Sequence, residues 1–251
     1  MGEAMQSIPV AVKNLTMTYG GTLIQKDLTF DVQQGEILVV MGESGCGKST
    51  LLRHIIGLNK PASGQIFRDG IDLWNCSESE HNTILRSSGI LYQSGALWSS
   101  MTLAENVALP LQQFTEFTPS AIKEISEYKL ALVGLAGCGD LYPSEISGGM
   151  RKRAGLARAM ALDPSVLFFD EPSAGLDPLS ARRLDELILE LRESLGTTII
   201  IITHELASIF TIATDSIFLD AKTKTMIARG NPHALRESCP IETVRRFLNR
   251  G

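Results

Sequence analysis

Residues 42–49 read Gly-Glu-Ser-Gly-Cys-Gly-Lys-Ser, a GxxxxGK[ST] pattern without a mismatch. An apolar run, Ile37 to Met41, comes directly before it. A helical pattern follows, with Leu51, Leu52, Ile55 and Ile56 on one face. A buried strand, a glycine-rich turn and a helix in that order leave few folds open. The glycines let backbone N–H groups turn inward around an anion, and the positive end of the helix points at the same anion. Lys48 would reach the β- and γ-phosphates of a nucleotide, Ser49 offers a hydroxyl to Mg²⁺, and Thr50 can donate to the α-phosphate. A glycine-rich turn with a chance lysine is the plain alternative, and the flanking strand and helix argue against it.

Two further apolar runs, Val166 to Phe169 and Thr198 to Ile202, read as buried strands. Between them Leu184, Leu187, Ile188, Leu191 and Leu195 recur at helical spacing, and Gly196 stands where the helix should stop. Continuous apolar strands separated by helices predict a parallel sheet covered on both faces. The expected class is α/β, a P-loop NTPase core. Residues 9–36 alternate more loosely and predict antiparallel strands ahead of that core. A mostly helical stretch from about residue 94 to 160 predicts an inserted subdomain. The domain is expected to span 8–240, with a hairpin near its end and a short helix and tail over 241–251.

The strand Val166 to Phe169 ends in Asp170 and Glu171. Open α/β sheets bind ligands at the carboxyl ends of their strands, so both carboxylates belong beside the glycine-rich loop. Asp170 would hold Mg²⁺, and Glu171 would act as general base on an attacking water. Alone, such a strand end reads as a solvated acidic turn; beside an unbroken P-loop the catalytic reading gains.

Composition narrows the partners. The chain of 251 residues carries 23 Lys and Arg against 28 Asp and Glu, a net charge of −5. No nucleic-acid partner that needs a global basic face is expected. No run approaches the roughly 18 apolar residues that a membrane span needs, and no signal peptide is expected at the start. Cys46, Cys76, Cys138 and Cys239 show no metal-ligand spacing and are expected to be reduced. Cys46 sits near a helix N-terminus, where the dipole favours thiolate, so it is either an alkylation site or a small spacer.

Ile146-Ser-Gly-Gly-Met-Arg-Lys-Arg153 resembles the ABC signature sequence and its helix, and nearly the whole chain resembles the nucleotide-binding subunit of ABC transporters. The resemblance implies an ABC-type ATPase with a RecA-like core, an antiparallel β subdomain and an inserted helical subdomain. It implies ATP and Mg²⁺ as ligands. ATP would contact Tyr19, Gly42, Glu43, Ser44, Gly45, Cys46, Gly47, Lys48, Ser49 and Thr50, and in trans Ser147, Gly148, Gly149 and Asp177 of a second copy. Gln93 and His204 would complete the catalytic set with Glu171 and Lys48, and Gln93 would join Ser49 and Asp170 at the metal. Without the family, Tyr19 reads as core and His204 as structural. The other histidines, His54, His81 and His233, match nothing and are read as surface or packing residues.

Met150 stands where the ABC signature has glutamine. That change, Tyr92-Gln-Ser-Gly-Ala-Leu-Trp98 and Asn106-Val-Ala-Leu-Pro-Leu111 resemble the ATPases of MCE-type, Mla-like lipid transport systems. The resemblance implies an ATP-sandwiched homodimer on the cytoplasmic face of the inner membrane. A permease would dock near Gln93 to Leu111, and an MCE-domain protein would share the complex. Some members clasp their partner with a longer C-terminal tail, expected here to be absent or reduced. Other readings are an ATPase for polar solutes such as amino acids, and a soluble ABC-type ATPase. A non-catalytic binding module would need a degraded Asp170, Glu171 or His204, and all three are present.

Overall fold

In the computed structural model, which describes residues 8–250, the chain forms two sheets. β1 (Val10–Tyr19) and β2 (Thr22–Val32) make a hairpin through Gly20 and Gly21. β4 (Ser63–Arg68) pairs antiparallel with β1, and the two-residue β5 (Ile71–Asp72) closes the edge. The order is β2-β1-β4-β5, antiparallel throughout.

The second sheet contains β3 (Ile37–Gly42), β6 (Ser88–Leu91), β7 (Val166–Asp170), β8 (Thr198–Ile202), β9 (Asp215–Asp220) and β10 (Thr225–Arg229). Its order is β10-β9-β3-β8-β7-β6. Every pairing is parallel except β9 with β10. Successive side chains point to opposite faces of a strand. Ile37, Val39 and Met41 therefore join Phe169, Ile199 and Ile201 in one core, while Leu38 and Val40 join Phe168, Ile200 and Ile202 in the other. Both faces are dry, which is why these strands read as unbroken apolar runs. The α/β class expected from the sequence holds.

Helices cover the two faces. α1 (Lys48–Ile55) packs between the sheets and shares the core of β1 and β2. α2 (Glu78–Arg86) starts at a capping box in which Ser77 and Glu80 satisfy each other's backbone N–H. Between β6 and β7 come α3 (Leu103–Phe114), α4 (Pro119–Leu132) and α5 (Gly148–Ala159). Val107, Leu111, Ile122, Leu130, Ala154 and Leu156 link these three to the main core. α6 (Pro178–Leu195) ends at Gly196, whose φ of 63° gives the left-handed stop. α7 (Leu206–Ile212), α8 (Pro232–Ser238) and α9 (Glu242–Leu248) complete the chain. Among the described residues no helix is long and apolar enough to cross a membrane.

The strand order decides what meets what. β8 lies between β3 and β7, so the loops after these three strands emerge side by side at their carboxyl ends.

Candidate active site

The loop after β3 is shaped by its own backbone. Gly42 has φ +145°, and a Cβ there would lie 2.4 Å from the carbonyl of Leu219, so only glycine fits. Lys48 opens α1 and turns back over the loop; its Nζ donates to the carbonyls of Gly42 (2.9 Å) and Glu43 (3.1 Å). The ammonium is thus held at the centre of the ring of residues that would surround a phosphate. Gln25 braces the loop from outside. It is fully buried on β2, and its Nε2 donates to the carbonyls of Cys46 (2.7 Å) and Asp220 (3.0 Å). The antiparallel sheet therefore holds the loop against β9.

Ser49 and Asp170 meet across the strand ends, with Ser49 Oγ donating to Asp170 Oδ1 at 3.3 Å. A hydroxyl and a carboxylate are the hard oxygen donors Mg²⁺ prefers, and phosphates and water commonly supply the rest of its shell. Among the described residues no cluster of three His, Cys, Asp or Glu forms a metal cage. The donor set therefore suits Mg²⁺ held jointly with a phosphate.

Glu171 follows in an uncommon conformation, φ 49°, although it is not glycine. This left-handed region costs about 1–2 kcal/mol for a residue with a Cβ. Its N–H donates to the carbonyl of Ile202 (2.8 Å), which ties it to the end of β8. One carboxylate oxygen lies 2.8 Å from Nδ1 of His204. The other, Oε2, is buried without a partner among the described residues. The carboxylate is thus mostly buried at the strand ends, with one oxygen oriented by His204.

The sequence profile described as "ABC transporter" matches residues 25–174. The MlaF ATP-binding protein of an intermembrane phospholipid transport system, from Haemophilus influenzae, is 40% identical over 94% of this chain and 88% of its own length. A probable ribonucleotide transport ATP-binding protein, mkl of Mycobacterium leprae, is 41% identical over 99% of this chain and 71% of its own. The ATP-binding cassette MJ0796, solved as a post-hydrolysis dimer with ADP and phosphate, superposes with a TM-score of 0.79 at 28% identity, covering 88% of this chain and 98% of that one. This chain belongs to the ABC transporter family. It is an ATPase whose hydrolysis of ATP to ADP and phosphate is coupled to transport.

The remaining candidate residues of this ABC ATPase fall into two groups. Gln93 follows β6 on the same side of the sheet, exposed, with no side-chain hydrogen bond among the described residues. Tyr19 ends β1 with 70% of its surface exposed, so it is not core. Ser44 and Gly45 lie exposed on the loop, and the Glu43 carboxylate pairs with Arg250 at 3.3 Å. Thr50 lends its carbonyl to Nδ1 of buried His54.

Ser147, Gly148 and Gly149 lie apart from these groups, at the start of α5 beside α6. Ser147 caps α5, its Oγ accepting from the N–H of Met150 at 3.2 Å. No hydrogen bond within the chain joins them to the phosphate loop among the described residues. Asp177 is the N-cap of α6, and its carboxylate accepts from Leu179 and Ser180. Those bonds, to Ser180 first, hold its pKa below the ordinary value.

Of the two readings of Cys46, burial favours the small spacer: only 1% of it is exposed, and burial pushes its thiol pKa up, against the opposing pull of Lys48. Desolvation beats the helix dipole here because the sulfur packs inward, 2.6 Å from where a Cβ on Gly42 would lie. Two brace residues escaped the sequence reading altogether. Gln25 sits in an ordinary alternating strand, and Arg68 is fully buried, donating to Ser88 Oγ at 3.0 Å and lying 5.1 Å over the ring of Phe168. Burial lowers the Arg68 pKa to about 10.

Proposed function

We propose that this ABC ATPase energises phospholipid transport through a separate membrane permease. It would work as an ATP-sandwiched homodimer on the cytoplasmic face of the inner membrane, with an MCE-domain protein in the same complex. The observation that carries the cargo is the identity to the phospholipid transport ATPase MlaF over nearly the whole of both chains. The Met150 signature and the Tyr92 to Trp98 stretch support the same reading.

Lys48, Ser49 and the loop N–H groups would bind the phosphates. Ser49, Asp170 and Gln93 would hold Mg²⁺, which supplies charge neutralisation on the β- and γ-phosphates. Glu171 takes the proton of the attacking water, and His204, hydrogen-bonded to its carboxylate, holds it in place. Tyr19, exposed at the end of β1, is free to stack on adenine. Ser147 to Gly149 and Asp177 of the second chain would close the site over the γ-phosphate.

A docking place for the permease is supported near Gln93 to Leu111. A groove of about 230 Å³ borders this segment at Pro110 and is otherwise lined by residues outside it, among them Leu85, Ile90, Phe114 and Arg158. Asn106 stiffens the neighbouring loop: fully buried, it accepts from the N–H of Trp98 (2.7 Å) and donates to the carbonyls of Trp98, Met101 and Thr102.

The mkl relative's name favours a second reading, a polar ribonucleotide cargo. Reconstitution with the co-purified permease separates the two. Stimulation of ATP hydrolysis and movement of labelled phospholipid between vesicles are expected. Stimulation by ribonucleotides with no lipid movement would replace the first reading with the second.

A further inference from the structure

Lys152 is a buried charge without a carboxylate partner among the described residues. It lies on α5 five residues past Ser147, and only 6% of it is exposed. Its Nζ donates to the backbone carbonyl of Glu171 at 3.3 Å. Burying a charge against a single carbonyl is unfavourable unless the contact does something else. Burial pulls the Lys152 pKa below the usual lysine value, and the Glu171 charge pulls the other way.

The carbonyl it holds belongs to the residue with the left-handed backbone, the base Glu171. Four attachments define that conformation: the N–H to Ile202, the carboxylate to His204, and the carbonyl to both the N–H of Ala174 (3.2 Å) and Lys152. The first two come from β8 and the loop after it, and the Ala174 bond from the turn that follows Glu171 itself. Only the Lys152 bond comes from α5, whose start carries Ser147 to Gly149 about 4.5–7.5 Å back along the axis.

α5 is also clamped to the segment after Gln93. A Cβ on Gly155 would lie 2.8 Å from the carbonyl of Gly95, so the two backbones touch. Arg158 donates to the carbonyls of Ala96 (2.8 Å) and Gly95 (3.3 Å). The helix therefore spans three places: the end that would meet a second chain, the segment beside the docking groove, and the base.

From this we infer that Lys152 is a positioning residue which couples α5 to the base of its own chain. A nucleotide captured by Ser147 to Gly149, or a push on the Gln93 to Ala96 segment, would reach Glu171 through this one hydrogen bond. The inference rests on Glu171 being the base.

The test uses the full transporter complex. Lys152→Met should bind ATP with unchanged affinity and hydrolyse it about tenfold or more slowly, with KM little altered, and Lys152→Arg should recover most of the rate. A merely structural anchor would lower ATP affinity, thermal stability and rate together in both variants, and that result overturns the inference. Mixed complexes then decide which site Lys152 serves. Lys152→Met in one chain and Ser147→Arg in the other put both lesions into one composite site if Lys152 acts on its own Glu171, and about half the activity should return. If Lys152 instead served the first turn of α5, neither site would be whole, and no recovery would refute the assignment. Glu171→Gln is the control: fast turnover in that variant removes the base, whereas a dead Glu171→Gln beside a fully active Lys152→Met removes only the coupling.

Discussion

Asp185 offers a sharp test of the packing between α6 and α7. It is 4% exposed, and its Oδ2 accepts from Ser208 Oγ on α7 at 2.8 Å. Its Oδ1 has no partner among the described residues, and a cavity of about 580 Å³ beside it also exposes Ser173, Arg182, Glu186 and Glu205. Arg182 offers little relief because it pairs with Glu186 at 3.1 Å. Burial raises the carboxyl from 3.8 to about 6, the Ser208 bond opposes this, and Glu186 adds to it. A carboxyl raised by folding binds its proton more tightly in the native state. Its contribution to stability is therefore full below about pH 4 and is lost as the pH rises through 6. Two pH units at about 1.4 kcal/mol each set an upper bound near 3 kcal/mol at pH 8. Asp185→Asn keeps the size and the acceptor for Ser208 but never ionises. The variant should be more stable than the wild type at pH 8, by roughly 1–3 kcal/mol, or about 2–4 °C of Tm per kcal/mol. At pH 4.5 the difference should shrink to about a third of its pH 8 value. Thermal and urea unfolding at both pH values measure it. A variant equally or less stable at pH 8, with no pH-dependent difference, would refute the claim that burial governs this carboxyl.

Other expectations are as direct. Glu171→Gln should retain ATP binding and lose about 10²–10⁴-fold in turnover, because the loop and Lys48 make the binding contacts; near-normal single-turnover rates would remove Glu171 from the role. Asn106→Ala should cost about 2–4 kcal/mol, since it strands several buried backbone groups at once, and a loss under 1 kcal/mol in urea unfolding would contradict the bracing described above. Cys46 should resist a maleimide at pH 7.5 in the native protein and react once it is unfolded; rapid native labelling read by mass spectrometry would show that the loop opens. Ser147→Arg should abolish hydrolysis while leaving ATP binding to the free chain intact, and unimpaired hydrolysis would argue against closure by a second copy.

Much of the sheet was legible in the sequence because its cause is local to each strand. Ile37 to Met41, Val166 to Phe169 and Ile199 to Ile202 are apolar at every position, and that alone requires cover on both faces. The elements that escaped reading are short or mixed in pattern. β5 has two residues, β4 buries only Ile66 and Arg68, and α7 and α8 have seven residues each. Their existence depends on neighbours rather than on their own periodicity.

The same division runs through the site. By itself the sequence determined the phosphate loop, because glycine dihedrals, the start of α1 and the reach of Lys48 all act within eight consecutive residues. Tertiary structure alone set Gln25 under the carbonyl of Cys46 and laid Lys152 against Glu171. It also favoured the spacer reading of Cys46 over the reactive thiol. A dipole at a helix start can be read from neighbouring residues, but desolvation depends on what the rest of the chain packs against the sulfur. Backbone geometry is a local property, whereas burial and long-range hydrogen bonding exist only once the strands have taken their order.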